Sequence, residues 1–84
     1  MYIQSLHPTL INSSSYLNVV SNKNGKLVIK VLDIQGRIAK RVTTSVAQGN
    51  QQLSINMSDL NSGMYILNAF NGDTFIKSIR FVKQ

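Results

Sequence analysis

An all-β sandwich is the fold class the sequence predicts, and three observations predict it. Apolar residues recur with a period of two along most of the chain, which is strand spacing, not helix spacing. Asn, Ser, Gln and Thr supply 29 of the 84 residues, and these types favour turns and solvated strand faces over helix interiors. Ala occurs only at Ala39, Ala47 and Ala69, and Glu is absent, so the strongest helix formers are scarce.

Seven strands follow in order. Met1 to Leu6 forms a first short strand, ended by His7-Pro8 because proline cannot donate to a ladder. Asn12-Ser13-Ser14-Ser15 reads as a turn before the strand Tyr16 to Val20, and Ser21 to Gly25 as the next turn. Lys26 to Asp33 is the strongest strand signal. Leu27, Ile29 and Val31 lie on one face and Val28, Leu32 and Ile34 on the other, as expected of a central strand. Asp33-Ile34-Gln35-Gly36 is a hairpin signal, since Asp bonds the backbone two residues on and Gly supplies positive φ. Arg37 to Val46 alternates loosely around Lys40, which predicts a bulge or an edge strand. Ala47-Gln48-Gly49-Asn50 turns the chain into Gln52 to Met57, with Leu53, Ile55 and Met57 inward. Ser58 to Gly63 is a corner plugged by Leu60 and leading into the strand Met64 to Phe70. Asn71-Gly72 is the favoured type I′ dipeptide before a last strand, Asp73 to Lys83. In that strand Phe75, Ile79 and Phe81 are expected to face the core, with Lys77 the odd member, and Ile76 and Val82 to face outward beside Ser78 and Arg80. Short loops imply antiparallel pairing. Turn signals every eight to twelve residues make this an Ig-like sandwich.

Composition excludes several function classes. The length fits one domain with a lean core. No cysteine is present, so neither a disulfide nor a thiolate metal site can hold the fold. No apolar run approaches the roughly 18–20 residues of a membrane-spanning helix. The net charge of +6 raises nucleic acid as a partner. However, the nine basic residues are scattered, and the excess comes as much from having only Asp33, Asp59 and Asp73. No aromatic stacking motif accompanies them, so they read as solvating charges that keep strand edges soluble. Catalysis lacks support too: the single histidine, His7, precedes Pro8, the aspartates occupy turns, and no phosphate loop or metal spacing occurs. The chain is read as non-catalytic and without a cofactor.

Two segments carry more than fold. In Asn61 to Leu67, Gly63 allows a sharp entry into a strand, and Tyr65 shares a face with Leu67. A tyrosine there can bury its ring and bond upstream backbone, as in the tyrosine corner of Ig-like folds. The final segment, Lys77 to Gln84, stays apolar and strand-like to its end. It fits an edge strand with charges that block aggregation, or a strand presented to a receptor with Phe81 or Val82 as anchors between Arg80 and Lys83.

In this order, these residues resemble the type A C-terminal sorting domain of the type IX secretion system of Bacteroidetes. The family's opening proline motif is matched only at Pro8. Its apolar strand ending in Asp-x-x-Gly is matched by Val31 to Ile38 with Asp33 and Gly36. Gly49 through Met57, then Leu60, Gly63, Tyr65 and Leu67, match the Gly-x-x segment, the following strand and the Leu-x-x-Gly-x-Tyr-x-Leu corner. Arg80-Phe81-Val82-Lys83 matches the basic-apolar-apolar-Lys ending, where lysine often stands at the position of Arg80. The resemblance implies an Ig-like address domain excised from a longer exported protein, with cargo upstream. Its implied partners are the outer-membrane translocon, its shuttle protein and a sortase. Its implied path runs through the periplasm to the outer-membrane surface or the medium.

On that reading Arg80, Phe81, Val82, Lys83 and Gln84 carry recognition, and Pro8, Asp33, Gly36, Gly49, Leu60, Gly63, Tyr65 and Leu67 hold the fold. Removing the last residues is then expected to abolish export with a modest loss of stability, whereas Tyr65→Ala is expected to unfold the domain. The alternative is an Ig-like or fibronectin-like extracellular binding module for carbohydrate or protein. It has thin support, with no Trp and three Tyr.

Overall fold

A computed structural model describes all of Met1–Gln84. It contains eight strands: β1 (Tyr2–His7), β2 (Leu10–Ile11), β3 (Ser14–Ser21), β4 (Gly25–Leu32), β5 (Ile38–Val46), β6 (Gly49–Asn56), β7 (Gly63–Asn71) and β8 (Thr74–Lys83). They form a three-stranded sheet, β1-β3-β6, and a five-stranded sheet, β2-β8-β7-β4-β5. The two sheets make an all-β sandwich consistent with an Ig-like architecture. No helix is long and apolar enough to cross a membrane.

The period-two pattern becomes the core directly. Leu17 and Val19 of β3, Leu27, Ile29 and Val31 of β4, and Leu67 and Ala69 of β7 are all essentially fully buried. Ile55, Met57 and Leu60 complete one cluster that spans both sheets, and Leu53 packs at its margin. The expected central strand β4 is paired on both sides, by β5 and β7. The loose alternation of β5 has both of its expected causes. It is an edge strand, and the register jumps from Val31↔Lys40 to Leu32↔Ile38, leaving Ala39 as a bulge.

Four local expectations are corrected. An eighth strand, β2, pairs in parallel with β8 through Leu10↔Val82 and Ile11↔Lys83, so pairing is not wholly antiparallel. Ser14 and Ser15 belong to β3 and not to a turn. Ser15 is fully buried, and its hydroxyl donates to the Pro8 carbonyl at 2.6 Å, which lets a polar residue occupy a core position. Ile34 does not share the face of Val28 and Leu32, because it lies in the β4–β5 turn and is 82% exposed. The β7–β8 loop is Gly72-Asp73, flanked by the pair Asn71↔Thr74. Gly72 has φ +58° and Asp73 does not have a positive φ, so only the first loop residue has positive φ, the type II′ pattern and not type I′.

That hairpin is followed by a second irregularity. Ala69 pairs with Lys77 but Phe70 pairs with Phe75, leaving Ile76 as an extra residue. The bulge changes the phase of β8. This reverses the expected places of two residues: Ile76 packs against the core, whereas Phe75 turns outward and meets Phe70 edge-to-face with ring centroids 5.7 Å apart.

Candidate functional site

The two segments singled out in the sequence form one structural unit at the end of β8. Met57 to Leu60 makes a tight turn closed by the Leu60 N–H donating to Met57 O at 3.0 Å. This turn buries Leu60 against the core. The chain then enters β7 at Gly63. Two carbonyls of the corner are captured from outside it. The Tyr65 hydroxyl donates to Asn61 O at 2.7 Å, and the Lys83 ammonium donates to Leu60 O at 3.0 Å. Tyr65 and Lys83 are both buried. The ring of Phe81, paired with Tyr65 in register, stacks on it with centroids 5.4 Å apart and planes 17° off parallel. Such stacking contributes about 0.5–1.5 kcal/mol beyond burial.

β8 is therefore held from two sides at this end. β7 pairs along it through Gly63↔Lys83, Met64↔Val82 and Tyr65↔Phe81. On the other side Val82 N–H donates to Thr9 O and Gln84 N–H to Ile11 O, each at 2.8 Å. Upstream of Val82 the same side of β8 has no strand partner, so most of β8 is a sheet edge.

Strand alternation divides the five terminal residues. Phe81 and Lys83 point inward and are buried, whereas Arg80, Val82 and Gln84 are exposed. Arg80 belongs to neither ion pair of the protein, which join Arg37 to Asp33 and Lys40 to Asp59. The segment carries a fully packed aromatic ring, a buried ammonium and the pairing with β2, which argues for a larger cost of removing it than the modest one expected.

The residues expected to hold the fold are distributed. Leu60, Tyr65 and Leu67 are buried members of the core. Gly63 starts β7 beside the Tyr65 ring. Pro8 follows a cis peptide bond and supplies the acceptor for Ser15. Gly49 starts β6 with φ +108°. Asp33 and Gly36 shape the β4–β5 turn, where Gly36 has φ +81° and donates its N–H to Asp33 O at 3.0 Å. The Asp33 carboxylate accepts from the Gln35 and Arg37 N–H groups at 2.9 and 3.0 Å and from the Arg37 guanidinium at 3.1 Å. The Arg37 backbone hydrogen bond leads the causes that hold the Asp33 carboxyl below the usual aspartate range, with some desolvation opposing it.

Sequence reasoning missed the inward role of Lys83 and the exposed apolar residues beside the strand, Leu10, Ile34 and Met64. Lys83 had a signal, since positions 79, 81 and 83 share one face of a strand. The outer residues had none, because what brings them together is pairing between distant segments.

A comparison with curated proteins gives no match. A family model for the secretion system C-terminal sorting domain matches residues 12–84, a span that takes in the corner, the terminal strand and the Asp33–Gly36 turn. The chain belongs to the C-terminal sorting domain family of type IX secretion.

Proposed function

We propose that this domain is a non-catalytic address read through the outward side of β8. It rides at the end of a larger exported protein, and its cargo lies upstream in the same chain. The domain folds in the periplasm and is recognised by the outer-membrane translocon and its shuttle protein. It crosses with the cargo and is then removed by a sortase, leaving the cargo at the surface or in the medium.

The observation that supports this reading is the alternation of the terminal strand. Phe81 and Lys83 fix β8 to the corner, and that anchoring presents Arg80, Val82 and Gln84 at a defined height on an exposed sheet face. Recognition by Arg80–Gln84 then has two parts. Arg80 and Val82 make the direct contact, while Phe81 and Lys83 position the strand, which lowers the ordering cost of binding.

A fluorescent reporter with a signal peptide, fused upstream of Met1–Gln84 in a bacterium with a type IX system, tests this. The intact fusion is expected at the surface or in the medium, and the Val82→Asp fusion in the periplasm with its domain folded. Periplasmic retention of the intact fusion in a host that exports its own cargo would contradict the reading and favour an extracellular binding module.

A further inference from the structure

The outer face of the five-stranded sheet holds a groove of about 330 Å³ between the Asp33–Gly36 turn and strands β7 and β8. Leu32, Asp33, Ile34, Met64, Ile66 and Arg80 line it, with the Asp33 carboxylate turned to Arg37. Register explains the assembly: Leu32, Ile66 and Arg80 stand side by side across β4, β7 and β8. In the next row stand Met64, Val82 and Leu10. Ile34, Met64 and Leu10 are each more than half exposed. A single exposed apolar residue is ordinary, but a contiguous patch marks an interaction surface. The rim bearing Ile34 is also preformed, because two backbone hydrogen bonds and the three made by the Asp33 carboxylate close its turn.

Charge specifies the occupant. Arg80 lines the groove without an ion pair, and the protein has no aspartate left to offer it. Asp33 is held by Arg37, Asp59 by Lys40, and Asp73 sits in the hairpin at the opposite end of β8. A guanidinium beside apolar surface is matched by a carboxylate, and covering the groove strengthens that pair by excluding water. Lipid headgroups or another diffuse anionic surface would engage a different cluster, Lys26, Lys30 and Arg41, on the outer side of β4 and β5.

We infer that the groove docks an extended segment of a partner protein, carrying one carboxylate side chain flanked by apolar ones. The carboxylate pairs with Arg80, and the apolar side chains lie between Ile34, Met64 and Ile66. This rests on the sorting function, in which the partner is a component of the export machinery.

The same reporter fusion tests it with Arg80→Lys, Arg80→Gln, Arg80→Glu, Ile34→Asp and Arg41→Glu, each shown by thermal unfolding to be folded. Exported reporter should fall in the order Lys, Gln, Glu at position 80. Arg80→Glu and Ile34→Asp should each lose about tenfold or more, while Arg41→Glu matches the parent. Parent-level export of Ile34→Asp, with Arg80→Glu and Val82→Asp still retained, would overturn the groove and leave the terminal-strand reading standing. Equal export of the three Arg80 variants would overturn the carboxylate. Loss in Arg41→Glu as large as in Arg80→Glu would replace the groove with a diffuse anionic surface. Retention of the parent fusion itself would overturn the sorting function and this inference with it.

Discussion

Lys83 joins two distant pieces of chain through a single ammonium group, and its environment is unusual for a lysine. The side chain is buried, its ammonium donates to the Leu60 carbonyl and to the main-chain oxygen of the terminal residue Gln84, and no side-chain carboxylate pairs with it. Lysine is almost never buried without such compensation. Lys83→Ala should therefore cost about 1–3 kcal/mol, because the Leu60 carbonyl loses its partner. Tyr65→Phe, which removes only the bond to Asn61, should cost about 1 kcal/mol. Urea unfolding of the two variants checks both values. Asp33 gives a prediction in pH. Its carboxyl titrates below the usual range because the folded turn donates hydrogen bonds to the ionised form, led by that from the Arg37 N–H. A depressed folded-state value adds stability above the unfolded value of about 3.9 and loses it as pH falls through the lower folded value. Thermal unfolding followed from pH 5 downward should show Asp33→Asn losing less stability on acidification than the parent.

At the scale of elements, β8 decides most of what the domain can do. It is an edge strand for much of its length and a doubly paired strand at its end, a difference made by only two residues of β2. Deleting Arg80–Gln84 removes Phe81 from the core, the Lys83 bonds and all of the β2 pairing, so it should destabilise about as much as Tyr65→Ala, roughly 3–5 kcal/mol. The bulge makes a second prediction at this scale. Ile76→Asp places a charge against the core margin, whereas Phe75→Ser alters an outward position. Ile76→Asp should therefore lower the unfolding midpoint by more than Phe75→Ser does, and an equal effect would mean that the strand keeps its simple alternation. These features also mark the limits of reading this sequence. Strands β3, β4, β6 and β7 were legible because their inward residues alternate, and β5 because its looser alternation marks an edge. β2 was not, since Leu10-Ile11 is too short to show a period. Nor was the reversal of Phe75 and Ile76 in β8, since a bulge adds one residue without changing composition.

For the molecule as a whole, the charge balance and the topology point in one direction. Of nine basic residues, two are held in ion pairs, and a net charge of +6 lies within the range that keeps a small domain soluble. Screening limits the reach of those charges to about 8–10 Å at ordinary ionic strength, so they aid encounter while specificity depends on contact. The proposed contact region was only half visible in the sequence: the terminal segment was evident, but the surfaces flanking it are supplied by the Asp33–Gly36 turn and by β2, far away along the chain. Substituting each of positions 80 to 83 in turn, and measuring both the unfolding midpoint of the domain and export of its reporter fusion, tests the division of the terminal strand most directly. Arg80→Ser and Val82→Asp should lose export with the midpoint nearly unchanged. Phe81→Ala and Lys83→Ala should lower the midpoint, Phe81→Ala by more than about 10 °C. Parent-level export with Arg80→Ser and Val82→Asp, and loss only where the fold is weakened, would contradict a signal displayed on the outward side of β8.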